Sequence, residues 1–133
     1  DFIRKPKDFD VVVASNLFGD ILTDIGAMIT GGLGLASSGN ISFDDKNPSM
    51  FEPTHGSAPD IAGKNLANPI AQILTGAMML SHLGEDKAAN EVRESVIETL
   101  KNGNNLTSDI GGNSKTDECT NEILNNLWTL TKN

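Results

Sequence analysis

The sequence has little cysteine, a shortage of basic residues and no long apolar run, and each shortage excludes a class of protein. Its one cysteine, Cys119, rules out a disulfide within the chain and is typical of a reducing compartment. We therefore expect a cytoplasmic protein in which Cys119 is a small buried residue near a helix. Lys and Arg number 10 against 18 Asp and Glu, and this acidic balance argues against nucleic acid or an anionic membrane as a partner. No run of about 18 apolar residues is present, so no membrane-spanning helix is predicted.

What the chain does have is a pattern of one strand followed by helices. The β-branched run "FDVVVAS", residues 9–15, predicts a buried strand. The segment after it, "NLFGDILTDIGAMIT", predicts a helix that begins at a cap formed by Ser15 or Asn16. Its apolar residues recur at helical spacing and form one stripe: Leu17, Phe18, Ile21, Leu22, Ile25, Met28 and Ile29.

Three more helices are predicted in the second half of the chain. The first covers "NPIAQILTGAMMLSHLG", with Pro69 in its first turn and Gly84 at its end. The second covers "EDKAANEVRESVIETLKNG", opens with acidic residues and stops at Gly103. The last runs from about Thr116 to Leu130, and its buried side is predicted to hold Ile123, Leu124, Leu127 and Leu130.

Two segments between the predicted helices are expected to be irregular. The glycines at 32, 34 and 39 of "GGLGLASSGN" do not give the G-x-G-x-x-G fingerprint, and this segment follows a helix instead of a strand. We expect a tight chain reversal with close backbone packing there. Residues 42–50, "SFDDKNPSM", are predicted to form an exposed polar loop.

Asp20 and Asp24 lie four residues apart on the first predicted helix, so their carboxylates project from nearly the same face. One interpretation is a site for a hard divalent cation, Mg²⁺ or Mn²⁺, which prefers oxygen ligands. Such a cation would also let an acidic protein bind an anionic substrate. The alternative is that one aspartate faces solvent while the other caps or pairs elsewhere.

The stretch "FEPTHGSAPDIAGKNLANP", residues 51–69, contains three prolines and two glycines and is therefore not a continuous helix or strand. His55 precedes Gly56, where the backbone can approach a ligand closely. Asp60 can accept hydrogen bonds from a ribose diol, and Asn68 offers a donor and an acceptor to an adenine edge. The alternative is an ordered surface loop with an Asx-turn.

Three segments in one order resemble the isocitrate and 3-isopropylmalate dehydrogenase family, which also includes homoisocitrate and tartrate enzymes. They are "NLFGDILTDIGAMITGGLGL", "FEPTHGSAPDIAGKNLANP" and the turn "TSDIGG", and the similarity runs from about Phe2 to Leu127. It implies an α/β fold of the isopropylmalate-dehydrogenase type, not a Rossmann fold. Residues 1–30 would end the small, dimerisation domain and carry the metal-ligand helix. Residues 31–133 would be the C-terminal part of the large, cofactor-binding domain.

The resemblance implies a divalent metal, Mg²⁺ or Mn²⁺, on Asp20 and Asp24, and NAD on the loop that begins at His55. In the family, the metal stabilises the negative charge that develops on the substrate during hydride transfer and loss of CO₂. The cofactor-binding positions that the resemblance implies are His55, Gly56, Ser57, Ala58, Pro59, Asp60, Ile61, Ala62, Gly63, Asn68 and Asp109.

Asp60 and Ile61 indicate which dinucleotide to expect. Family members that use NADP have a lysine and a tyrosine at these two positions, where they meet the 2′-phosphate. Asp60 would instead accept a hydrogen bond from a free 2′-hydroxyl and repel a 2′-phosphate. The resemblance therefore implies NAD.

The family's catalytic tyrosine and lysine, its substrate-binding arginines and a third metal aspartate would precede Asp1. We therefore expect a fragment without catalytic residues of its own, inactive alone, from a homodimeric NAD-dependent decarboxylase of a small-molecule 2-hydroxy acid. The favoured substrates are 3-isopropylmalate and homoisocitrate, followed by isocitrate. One alternative is a non-catalytic regulatory subunit, against which the retention of Asp20 and Asp24 argues. The other is a structural or binding domain that shares the fold.

Overall fold

The computed structural model describes residues 1–44 and 46–132, which form an α/β arrangement of four helices and two short strands. All four predicted helices are confirmed, with small differences at their ends. Single turns of 3-10 helix lie at Pro6–Asp8, Leu33–Leu35 and Ser108–Ile110. The helices and strands, in chain order, are α1 (Asn16–Ile29), β1 (Ser37–Asn40), β2 (Met50–Pro53), α2 (Ile70–His82), α3 (Asp86–Asn102) and α4 (Thr116–Thr131).

Local sequence signals account for several helix ends. Gly103 follows α3 with φ +70°, and Gly84 follows α2 with φ +83°, the left-handed backbone that glycine adopts without steric cost. Ser15 stands at the cap position of α1, as predicted, but its side chain makes no capping hydrogen bond. Its carbonyl accepts instead from Gly19 N at 2.7 Å, the first bond of the helix.

The core lies where α2 and α4 both pack against α3. Ile70 from α2, Val96 from α3, and Cys119 and Ile123 from α4 are each at most 3% exposed. Burial raises the pKa of the Cys119 thiol, which keeps it protonated and apolar at neutral pH. The predicted burial of Cys119 is confirmed.

The buried side of α4 differs in part from the prediction. Ile123 is buried and Leu127 is half-buried, but Leu124 and Leu130 are 43% and 37% exposed. Asn126 faces the bundle instead, and its Nδ2 donates to Thr99 Oγ1 of α3 at 2.9 Å. The reason is that an apolar groove of about 360 Å³ lies open between α2, α3 and α4 in the described part of the chain, and Leu124 is one of the residues that line it.

A two-stranded antiparallel sheet was not predicted. β1 and β2 pair from Ser37 opposite Pro53 to Asn40 opposite Met50, and the sheet lies against α2. The sequence "SSGN" is polar and lacks the apolar alternation of a strand, so the prediction of turn structure there was wrong. The pairing depends on a partner that is distant in sequence, which propensity alone does not reveal.

The irregular segments are otherwise as expected. Gly31 and Gly32 have φ +126° and +112°, which produces the predicted chain reversal after α1. Most described residues of the predicted loop 42–50 are exposed, but Met50 is the first residue of β2, and Asp45 lies outside the described residues.

The predicted buried strand at 9–15 is wrong. These residues belong to no strand, and Val11 and Val13 are 82% and 93% exposed. A strand needs a neighbour whose backbone pairs with it, and among the described residues the one sheet pairs β1 with β2. The β-branched run therefore lacks the partner on which the prediction depended.

The predicted stripe of α1 lies on a real helix but has little to pack against. Leu17, Phe18, Ile21 and Met28 are 49–66% exposed, and Ala27 is the buried residue of this helix. The contacts of α1 with other elements run mainly to the turn at Leu33–Leu35.

No helix in the described part of the chain is long and apolar enough to cross a membrane.

Candidate functional site

A cavity of about 690 Å³ opens beside the loop that follows β2. This volume is within the range of small-molecule binding sites. Segments that are far apart in sequence meet there, and the helix bundle holds them in place. The walls come from Leu33 and Gly34, residues 55–58, 61–63 and 65–68, Ser108, Asp109 and Thr116.

Nine of the eleven positions predicted to bind a cofactor line this cavity: His55, Gly56, Ser57, Ala58, Ile61, Ala62, Gly63, Asn68 and Asp109. The other two, Pro59 and Asp60, are exposed and lie in the turn between lining residues, outside the cavity wall. The structure therefore brings the loop and the distant Asp109 together. What each residue does toward a cofactor stays a prediction.

The loop is built from consecutive tight turns. Ile61 N donates to Ala58 O at 3.0 Å, and Lys64 N donates to Ile61 O at 3.1 Å. Ala58 and Asn65 have φ +42° and +58°, a left-handed backbone that costs most L residues, such as alanine, roughly 1 to 2 kcal/mol and that asparagine adopts more readily. Such backbone persists where the surroundings enforce it, and it is concentrated at ligand-binding sites.

Asn68 connects the loop to two other parts of the molecule. Its Oδ1 accepts from Ile70 N at 2.9 Å and so satisfies a donor at the start of α2. Its Nδ2 donates to Asp109 Oδ2 at 2.9 Å, while Thr107 Oγ1 donates to Asp109 Oδ1 at 2.6 Å. These bonds fix which way the amide points, and each end of an amide has capacity for one more hydrogen bond. An adenine edge needs such a donor and acceptor pair.

Asn65 makes the equivalent connection to α4. Its Nδ2 donates to Asp117 Oδ1 at 2.7 Å, and its Oδ1 accepts from Asp117 N at 3.2 Å. The pKa of the exposed Asp117 carboxyl lies below its ordinary value, and the hydrogen bond from Asn65 is the main reason. Asp117 is therefore ionised, and this contact persists, throughout the neutral pH range.

Seven lining residues were missed by the sequence analysis: Leu33, Gly34, Asn65, Leu66, Ala67, Ser108 and Thr116. Close packing was expected around the glycine segment but not its place beside the loop. A Cβ on Gly34 would lie 2.5 Å from Asp109 Oδ2 and 3.0 Å from Asn68 Cβ, so this glycine lets the turn approach the Asn68–Asp109 pair. Thr116 was predicted to begin the last helix, and this position was a signal that could have identified it as a candidate site residue.

Asp20 and Asp24 lie on α1, as predicted, and both side chains are exposed. Among the described residues, neither carboxylate has a hydrogen bond or ion pair, and no group of three or more His, Cys, Asp or Glu is close enough together to hold a metal. Two free carboxylates suit a hard cation such as Mg²⁺, which commonly takes one or two protein carboxylates plus water and substrate oxygens. Further ligands would have to come from water, substrate or other residues.

Comparisons with known proteins agree with this arrangement. The family model described as isocitrate/isopropylmalate dehydrogenase matches residues 1–123. A probable tartrate dehydrogenase/decarboxylase of Bacillus subtilis is 53% identical over 129 residues, which are 97% of this chain and 36% of that protein. A 3-isopropylmalate dehydrogenase of Corynebacterium jeikeium is 50% identical over 125 residues, 94% of this chain and 35% of that protein.

A solved structure confirms the predicted fold class. The isocitrate dehydrogenase of Methylococcus capsulatus superimposes with a TM-score of 0.88 at 44% identity, covering 95% of this chain and 37% of that protein. The α/β architecture is therefore that of this group of enzymes. The chain spans about a third of the length of the curated relatives that it matches.

Replacing Gly34 by alanine should disrupt the Asn68–Asp109 hydrogen bond, because the added Cβ would lie 2.5 Å from Asp109 Oδ2. Overpacking of this kind costs about 1–3 kcal/mol. Urea denaturation would measure the loss, and the NMR resonance of the Asn68 side-chain amide would report the local change.

Gly76→Ala is the matched control, because a Cβ there meets no atom within 4 Å and α2 gains helix propensity. It should leave the Asn68 resonance unchanged and stability equal or slightly higher. A Gly34→Ala variant with wild-type stability and an unshifted Asn68 amide would contradict the close approach.

Proposed function

The chain belongs to the isocitrate/isopropylmalate dehydrogenase family, and from this premise we propose that it serves NAD-dependent oxidative decarboxylation of a 3-substituted malate. The observation that carries the proposal is the cavity. There the loop at residues 55–68, which resembles the cofactor loop of the family, meets Asp109 and the chain reversal that follows α1. The family is one of β-decarboxylating dehydrogenases. The identities of the dinucleotide, the metal and the acid substrate are what we propose.

The names of the relatives indicate the substrate class but not one substrate. Tartrate, 3-isopropylmalate and isocitrate, the acids in those names, are all malates with a substituent on the carbon next to the alcohol. Oxidation of the alcohol to a ketone places a carboxylate β to the new carbonyl, and that carboxylate leaves as CO₂. We favour 3-isopropylmalate or homoisocitrate, followed by isocitrate.

This chain would supply the adenosine end of the dinucleotide site. Asn68, held by Ile70 N and Asp109, would present its free amide positions to the adenine edge. Asp60, exposed in the turn beside Ile61, would accept from the 2′-hydroxyl of the ribose at the rim of the cavity. NAD⁺, when bound, would be the hydride acceptor.

Asp20 and Asp24 would hold the divalent cation, Mg²⁺ or Mn²⁺, through carboxylates that no other described group occupies. When bound, the cation would act as a Lewis acid toward the oxygens of the acid substrate. The turn at Leu33–Leu35 both contacts α1 and contributes Gly34 to the cavity. It therefore links the proposed metal helix to the proposed cofactor site.

The packing also supports the proposed division at residue 30. Residues 1–30 would end a small, dimerisation domain, and residues 31–133 would be part of a large, cofactor-binding domain. In support, the residues of the described core cluster all come after residue 30, whereas α1 keeps most of its apolar stripe exposed.

Changing Asp20 or Asp24 to asparagine should lower kcat/KM on the order of a hundredfold, because a neutral amide stabilises a cation poorly. The assay uses the longest natural form of the protein, with each candidate acid, NAD⁺ and a titration of Mg²⁺ or Mn²⁺. Asp86→Asn, an exposed aspartate of α3, is the control and should retain activity. Full turnover in the presence of a chelator would contradict the metal assignment.

The double change Asp60→Lys with Ile61→Tyr should move dinucleotide preference toward NADP⁺. A lysine attracts the 2′-phosphate that an aspartate repels, and we expect the ratio of kcat/KM for NADP⁺ to that for NAD⁺ to rise about tenfold or more. Asp10→Lys makes the same charge change away from the cavity and should leave the ratio unchanged. An unaltered preference in the double variant would refute the role of Asp60.

The exposed stripe of α1 fits a homodimer interface, because an apolar helix face of this kind is normally covered by a partner. Phe18→Glu, at a side chain that is 62% exposed, should shift the protein toward monomer in sedimentation velocity experiments. Leu83→Glu, at a leucine that is 65% exposed at the end of α2, is the matched control. Equal sedimentation of the wild type and Phe18→Glu would argue against this interface.

A further inference from the structure

The start of α4 is capped by a residue from the loop and not by its own flanking residue. The first N–H groups of a helix have no acceptor within the helix. Lys115, at the cap position, has a side chain that can only donate, so it cannot satisfy them. Asn65 supplies two of the missing acceptors: its O accepts from Thr116 N at 3.0 Å and its Oδ1 accepts from Asp117 N at 3.2 Å. The next N–H, that of Glu118, donates to Asp117 Oδ1 at 2.9 Å.

The side chain of Asp117 also makes a hydrogen bond with Asn65. Its Oδ1 accepts from Asn65 Nδ2 at 2.7 Å, so Asn65 and Asp117 form a reciprocal pair in which the amide both donates and accepts. The acceptor is ionised, which makes this bond stronger than one between neutral groups. We call this pair the Asn65–Asp117 clamp.

The clamp also accounts for the unusual backbone of Asn65. This residue has φ +58°, and asparagine is one of the few residues besides glycine that adopt such a conformation routinely. In this conformation the carbonyl and the side chain of Asn65 both reach the start of α4.

Few other hydrogen bonds tie the loop to the rest of the chain. Among the described residues, those from 55–68 to other segments are the bonds to Thr116 and Asp117, the capping bond from Asn68 to Ile70 N, and the bond to Asp109. The start of α4 therefore fixes the middle of the loop, and α2 with Asp109 fixes its end.

We propose that Asp117 is a positioning residue for the adenosine part of the cofactor, although it does not line the cavity. It holds Asn65, and through Asn65 it sets the conformation in which the loop presents its lining residues. This inference rests on the proposed dinucleotide function of the cavity. Binding is tighter when a loop is already ordered in its bound conformation, because less conformational entropy is lost on binding.

Glu118 allows a matched control on the same helix turn. Its Oε2 accepts from Lys115 N at 2.8 Å, so it also caps α4, but among the described residues it makes no hydrogen bond to the loop. Removing Glu118 should therefore weaken the helix start and leave the clamp in place. Removing Asp117 should weaken the helix start and release the loop as well.

The test measures binding of AMP and NAD⁺ by calorimetry for wild type, Asp117→Ala, Glu118→Ala, Asn65→Gly and Asp117→Asn. We expect Asp117→Ala and Asn65→Gly each to raise the dissociation constants about fivefold to tenfold. Asn65→Gly keeps the left-handed backbone but removes the side chain of the clamp. The combined variant should be no weaker than either single one, because both remove the same interaction.

Glu118→Ala should bind within about twofold of wild type, and Asp117→Asn, which keeps an acceptor oxygen for Asn65, should recover most of the affinity. In the longest natural form of the protein, Asp117→Ala should raise KM for NAD⁺ with kcat and KM for the acid unchanged. A purely structural role would instead lower the amount of folded enzyme and leave KM for NAD⁺ as it was.

Hydrogen exchange of the loop amides separates this proposal from the proposed function. Exchange in residues 55–68 should accelerate in Asp117→Ala and not in Glu118→Ala, whether or not a nucleotide is added. A wild type that binds no adenine nucleotide would overturn the cofactor function, and the exchange result would still show whether the clamp orders the loop. Wild-type affinity in a folded Asp117→Ala variant, or an equal loss in Glu118→Ala, would overturn the positioning role.

Discussion

Two asparagine side chains hold an irregular loop against the starts of two helices, and the candidate site depends on that arrangement. Asn68 accepts from Ile70 N at the start of α2, and Asn65 accepts from Asp117 N at the start of α4. Each amide also donates to a carboxylate, that of Asp109 or of Asp117. The loop thereby satisfies backbone donors that the helices cannot satisfy themselves, and the helices fix the loop, in which no described residue belongs to a strand.

The three-helix core makes this arrangement stable. α2 and α4 both pack on α3 around Ile70, Val96, Cys119 and Ile123, so their first turns are held at a fixed separation. The loop spans that separation, and its positive-φ residues are positions at which the chain must turn sharply to do so. Gly34 completes the wall, since a side chain there would displace Asp109 or Asn68. The packing of the core thus fixes the helix starts, the helix starts fix the loop through the capping bonds, and the loop shapes the cavity.

The first thirty residues pack differently from the rest of the chain. α1 is a regular helix with an apolar stripe, yet it leaves that stripe exposed and contacts the remainder mainly through the turn at Leu33–Leu35. The β-branched run before it is likewise exposed. Apolar surface that water covers is unfavourable, which is why we propose that this part of the chain forms one side of an interface. Asp20 and Asp24, which have no hydrogen bond or ion pair among the described residues, lie on that helix, and the same turn connects it to the cavity.

The four helices, the burial of Cys119 and the family could be predicted from the sequence alone, because helical periodicity, glycine ends and loop motifs are local properties. It also identified most of the cavity's loop, which is one continuous segment. The β1–β2 pairing, the exposure of residues 9–15 and the places of Gly34, Asn65 and Thr116 beside Asn68 depend on tertiary contacts and became visible only in the structure. Strand pairing and remote capping join residues that are distant in sequence, and such contacts leave no periodic signal in either segment.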